Sequence, residues 1–170
     1  MKFLLVSLFV LPSLLFAQEP TYTKGIPNDL AKEKIIFLEH EKIPVTADKK
    51  DGKAAKYILL RQTNHNKVIN ESNLKLQGAA LAYPYEYGIA TPSTYPSLAK
   101  AGYKYVLRSN VYSYKHLEGQ PNEDELLIFE YFIHDIENNI AYKVFQMDEM
   151  KVYDSKMMIR KLNRAIKHSN

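Results

Sequence analysis

Lys34-Ile35-Ile36-Phe37-Leu38-Glu39-His40-Glu41 is the stretch on which the fold turns. Successive side chains of a strand point to opposite faces, so Ile35 and Phe37 face one way and Ile36 and Leu38 the other. A strand that is apolar on both sides must be covered on both sides, as strands of a mixed α/β sheet are. Pro44 ends it, because proline has no amide proton for a ladder.

Working outward, residues 54–69 read as a helix, with Ala55, Ile58, Leu59 and Gln62 on one face. Its later half, Thr63-Asn64-His65-Asn66, holds poor helix formers. Residues 71–82 continue that helix or start a second, with Leu74, Gly78 and Leu81 sharing a face. Pro84 forces an extended chain before the short strand 85–90. Pro96 and Gly102 bracket a helix over 95–101. A long strand follows at 103–114 and a polar loop at 116–125. Residues 126–136 are the densest strand, and Glu137-Asn138-Asn139-Ile140 turns the chain into a paired strand at 141–147. With Asn138 and Asn139 as a two-residue turn, Ile133 faces Val144 and Phe132 faces Phe145. Asp154 opens a final helix with an apolar stripe of Met158, Ile159, Leu162, Ala165 and Ile166.

The predicted order is β-α-β-α-β-β-β-α. The fold class is α/β (α+β), a single mixed sheet with helices packed on it, ending in an antiparallel meander and an amphipathic helix. Residues 34–170 form one domain, and residues 18–33 form an extended lead-in marked by Pro20, Gly25 and Pro27.

The first seventeen residues read as a secretory signal peptide. Met1-Lys2 is a short basic start, residues 3–16 are apolar apart from Ser7, Pro12 and Ser13, and Ala17 precedes a polar stretch. The run is short of the roughly 20 residues of a membrane span. Cleavage after Ala17 is expected, with an uncleaved amino-terminal anchor as the alternative. The mature chain is then expected in the periplasm or outside the cell, with no transmembrane span.

The chain has no cysteine, which excludes disulfides, thiol nucleophiles, Cys-based metal sites and a lipid-bearing cysteine. Apolar residues make up 46%, charged residues 25%, and the net charge is only +4, a weak basis for nucleic-acid binding. The 13 tyrosines and 7 phenylalanines, with no tryptophan, suit half-buried strand positions.

No chemical motif stands out. His40, His65, His116, His134 and His168 show no two-ligand helical spacing, so no metal is expected. There is no Gly-x-Ser-x-Gly elbow, and Ser72 with Lys75 is a chance spacing. With 6 glycines no phosphate-cradling loop forms, so no cofactor is expected. Glu123-Asp124-Glu125 reads as a solvated loop. Two surface features remain as partner sites. The last helix carries Arg160, Lys161, Arg164 and Lys167, which suit an acidic partner or the surface of a membrane, against the plainer reading of a solvated polar face. Tyr83-Pro84-Tyr85-Glu86-Tyr87 offers Tyr83, Tyr85 and Tyr87 as an aromatic platform, against the plainer reading of a helix-to-strand corner.

The segment Ala101-Gly102-Tyr103-Lys104-Tyr105-Val106-Leu107-Arg108-Ser109-Asn110-Val111, followed by Leu126-Leu127-Ile128-Phe129-Glu130-Tyr131-Phe132-Ile133-His134-Asp135, resembles paired strands of bacterial envelope α/β domains. The group is that of the curli-secretion lipoprotein CsgG, the amino-terminal domain of TolB and the LpoB-type activators. The chain differs from them in lacking a cysteine for lipid attachment and in carrying Asn138-Asn139 where their turn usually holds glycine. The resemblance implies a non-enzymatic interaction or assembly-accessory domain of the envelope, binding another envelope protein or self-associating, and carries no functional residue across. Two other readings stand beside it. One is an exported hydrolase whose site is assembled from distant strands, with His134, Asp135 and His40 as its candidates. The other is a soluble binder of a small ligand.

Overall fold

The computed structural model describes residues 19–46, 52–112 and 128–169. The signal-peptide reading of residues 1–17, the end of the long strand beyond Tyr112, His116, the Glu123-Asp124-Glu125 loop and the first two residues of the strand expected at 126–136 lie outside them.

Nine elements follow in order: β1 (Thr21–Lys24), β2 (Ile35–Leu38), α1 (Lys53–Ala80), β3 (Tyr87–Ala90), α2 (Tyr95–Lys100), β4 (Tyr105–Tyr112), β5 (Ile128–Asp135), β6 (Ile140–Asp148) and α3 (Ser155–Ser169). From β2 onward this is the predicted order. The lead-in adds β1, which pairs parallel with β6 and lays Tyr22 against Phe132 with ring centroids 5.2 Å apart. The strands form one mixed sheet, β1-β6-β5-β4-β2-β3.

β2 lies between β4 and β3 and is parallel to both. Ile35, Ile36 and Phe37 are completely buried, as a strand apolar on both faces requires. Ile35 and Phe37 join the large core beneath α1 and α3, with Leu76, Tyr105, Ile133, Ile159 and Leu162. Ile36 belongs to a smaller core on the opposite face, with Ala90 and Val106 buried beside Leu98 and Tyr95 of α2. The crossover through α1 and the crossover through α2 therefore cover opposite faces of the sheet.

α1 differs from the reading in two ways. It is one helix of 28 residues, and its buried positions are Ile69, Ser72, Leu76, Ala79 and Ala80. Leu74, Gly78 and Leu81 sit on its solvent face, Leu74 being 69% and Leu81 78% exposed. The helix persists through Asn64-His65-Asn66 because its amide side chains find backbone partners. Asn66 accepts from the Ile43 amide at 2.9 Å and donates to the Ile43 carbonyl at 2.8 Å. Asn73 does the same with the amide and carbonyl of His40, both at 2.9 Å. Residues that weaken an isolated helix thus clip the extended segment after β2 along this one.

The β5–β6 register is also corrected. Ile133 pairs with Tyr142 and Phe132 with Lys143, not with Val144 and Phe145. Asp135, only 3% exposed, accepts from the amides of Glu137 and Asn138 and from Asn138 Nδ2, at 3.1, 2.9 and 2.9 Å. This side-chain cap closes the turn at Asp135–Ile140, with Asn139 at φ 52°, rather than one step further along. An irregularity between Tyr131 and Phe132 then lets Tyr131 stack on Phe145, centroids 4.7 Å apart.

α3 opens as predicted, with Asp154 Oδ1 accepting from the Met157 amide at 2.9 Å. Met158, Ile159, Leu162 and Ile166 are buried, and Ala165 is half-buried. Among the described residues no helix is long and apolar enough to cross a membrane.

Candidate functional site

Neighbouring parallel strands β2 and β3 send their connections to opposite faces of the sheet, which leaves a crevice outside their carboxyl ends. A cleft of about 410 Å³ lies there. The segment after β2 supplies Glu39, His40 and Glu41, β4 supplies Leu107, Arg108 and Ser109, and α1, β5 and α3 supply His65, Tyr131 and Ser155.

Two histidines meet at this end of the sheet. His65 Nε2 lies 2.8 Å from the Glu41 carbonyl, which only accepts, so this nitrogen carries the proton. Nδ1 of the same ring is hydrogen-bonded to the Tyr153 hydroxyl, also at 2.8 Å. His40 packs edge-on to both rings, with centroids 5.8 Å from His65 and 5.1 Å from Tyr153. Burial, and secondarily His65, push His40 down to about 4, so it is neutral at pH 7. Glu41 accepts from the Ser93 amide and hydroxyl at 3.2 and 2.5 Å, which holds its carboxylate against the segment after β3.

The floor is formed by residues with very little exposed surface. Tyr131 is 5% and Ser155 7% exposed, and both border the cleft beside Leu76, Val152 and Met158. Burial raises the Tyr131 hydroxyl well above the usual phenol range, with Tyr153 a lesser cause.

His134, Asp135 and His40 are not brought together. His134 borders a separate hollow of about 90 Å³ with Pro20, Tyr22 and Phe132, and its Nε2 is 3.0 Å from Asn139 Oδ1. Asp135 is occupied in capping its turn. Ser72 and Lys75 part as well: Ser72 is buried against the Tyr153 carbonyl at 3.4 Å, and Lys75 pairs with Glu71 at 2.6 Å. Among the described residues no group of three or more histidines and carboxylates is placed to hold a metal.

The aromatic corner is mostly packing. Tyr83 is 4% exposed and meets Phe37 edge-on with centroids 5.2 Å apart, while Tyr85 and Tyr87 are half-buried around it. On α3, Arg160, Arg164 and Lys167 are exposed, together with Lys156. Lys161 instead donates to the Gln146 carbonyl at 2.9 Å and so is tied to β6.

Reading the sequence missed Tyr131, Tyr153, His65 and Ser155 as neighbours. The one signal for the cleft was the polar Glu39-His40-Glu41 directly after an apolar strand, where β2 leaves the core. The chain matches no protein family, no curated protein and no solved structure.

Proposed function

We propose that this chain is an exported bacterial envelope protein whose domain works by binding, docking an acidic envelope protein along the outer face of α3. The observation that carries the reading is the division of that helix. One face is buried under the sheet, while Lys156, Arg160, Arg164 and Lys167 stand exposed at spacings of four, four and three, a single stripe. None of the four has an acidic partner among the described residues. A row of unpaired cations on a rigid helix favours an acidic surface by charge complementarity and speeds encounter with it. The signal-peptide pattern of residues 1–17 and the resemblance to envelope α/β domains support the compartment.

The test is crosslinking of the mature chain, Gln18 to Asn170, in intact envelopes, with wild type beside Lys156→Glu/Arg160→Glu/Arg164→Glu. The expected result is one dominant protein partner, captured less at high salt and lost in the variant while its circular dichroism is unchanged. A partner retained by the folded variant sinks this interface and directs attention to the half-buried Tyr85 and Tyr87. Charge-dependent binding to phosphatidylglycerol vesicles without a protein partner would make the membrane surface the target instead.

A further inference from the structure

The cleft at the carboxyl ends of β2, β3 and β4 has a use that the α3 stripe does not explain. Its floor carries two hydroxyls, on Tyr131 of β5 and Ser155 of α3, each on a residue more than nine-tenths buried. Neither hydroxyl has a hydrogen-bond partner among the described residues. Polar groups that border a mostly apolar cleft are the ones that fix the orientation of a ligand in it. Ser155 is also the first residue of α3, a helix of 15 residues whose start favours negative charge. The Asp154 carboxylate takes the Met157 amide, and the Met158 amide goes to the Asp154 carbonyl. The amides of Ser155 and Lys156 are left without protein partners among the described residues.

The charges on the cleft wall are sorted by place. Glu41 is drawn outward onto Ser93, and Glu39 accepts from Gln77 at 3.4 Å on the solvent side of α1. Lys42 is the cation on the same wall; Arg108 also borders it, but its guanidinium lies 3.4 Å from His134 Nδ1, beside the separate hollow. Leu38, Leu76, Leu107, Val152 and Met158 make the rest apolar. The volume, about 410 Å³, is within the range of small-molecule sites.

We propose that this cleft binds a small organic acid, an apolar body lying on Leu76, Leu107 and Met158 with its carboxylate held by the Tyr131 and Ser155 hydroxyls at the start of α3. The hydroxyls donate and the carboxylate accepts, so no proton changes hands. The site is separate from the α3 stripe and stands or falls independently of it.

The test uses three probes with one body and three heads: 4-phenylbutyrate, 4-phenylbutanol and 4-phenylbutylamine, titrated by calorimetry and by amide chemical shifts into the mature chain. The expected result is that the acid binds best, with shifts at Tyr131, Ser155 and His40. Tyr131→Phe and Ser155→Ala should each weaken the acid by about tenfold, the loss for one hydrogen bond to a charged group. They should leave the alcohol much less affected. Arg160→Glu/Arg164→Glu/Lys167→Glu, one turn or more away from the start of α3, should keep both the acid binding and its shifts in the cleft, which separates this site from charge attraction by the helix. Equal binding of the alcohol or amine, no binding of any probe to the folded protein, or full affinity in both hydroxyl variants would overturn the proposal.

Discussion

The Tyr153 hydroxyl is hydrogen-bonded to Nδ1 of His65 across 2.8 Å, joining two side chains 88 positions apart in the chain. The opposite nitrogen of the same ring donates to the Glu41 carbonyl. One imidazole therefore ties α1, the segment after β2 and the approach to α3 together. All three border the cleft, so the tie sets its shape.

Removing the phenol should loosen that tie without opening the core. Tyr153→Phe leaves His65 Nδ1 without its hydrogen-bond partner and is expected to cost about 1 kcal/mol in urea unfolding, with no change in m-value. Backbone amides of residues 40–43 should exchange faster in the variant. A variant as stable as wild type, with unchanged exchange there, would contradict the tie.

Acid should weaken the fold through His40. Its folded pKa of about 4 lies below the unfolded value near 6.5. Below pH 6.5 the unfolded chain binds more protons, so stability falls as pH drops from 6.5 towards 4 and is flat above. Burial also lowers His134, which acts in the same direction. The His40 share reaches about 3 kcal/mol at the acid end. His40→Asn should flatten the unfolding free energy between pH 6.5 and 4 relative to wild type; parallel curves would argue against a buried neutral ring.

The turn cap sets a register that alternation alone left open. Asp135→Ala removes the acceptor of three hydrogen bonds at a buried position and should cost about 2–4 kcal/mol. Asp135→Asn keeps one acceptor oxygen and should recover part of this. Thermal melts of both variants give the order, and equal loss in the two would show that charge, not acceptor geometry, matters.

Gly88 of β3 is required by close approach. A Cβ placed there would lie 2.8 Å from Tyr103 Cε1 and 3.2 Å from Leu98 Cδ1, within the small core under α2. Gly88→Ala is expected to cost about 1–3 kcal/mol as overpacking, measured by urea unfolding. A neutral single variant would mean that Tyr103 swings aside freely.

Much of the architecture was legible because burial leaves a periodic trace. The two-sided apolar Ile35-Ile36-Phe37 announces a strand covered on both faces, and that is what α1 and α2 provide. The stripe of Met158, Ile159, Leu162 and Ile166 announces a helix laid on the sheet, and Asp154 announces its start. The continuity of α1 was not legible. Asn66 and Asn73 are poor helix formers judged locally, and their value there comes from backbone groups 23 and 33 positions away. The register of the meander escaped for the same reason, since Asp135 could be read as a strand residue until its turn contacts were seen.

By itself the sequence determined the strand and helix order from β2 onward, the two-layer covering of the central strand and the absence of thiol chemistry. These depend on local periodicity and residue type, which a linear chain displays directly. Only the tertiary structure decided that β1 adds to the sheet edge, that His40 and His65 converge while His134 goes elsewhere, and that Tyr131 and Ser155 share a cleft. Those juxtapositions come from crossovers that fold distant segments onto the carboxyl ends of parallel strands. No spacing along the chain encodes a distance across that crevice.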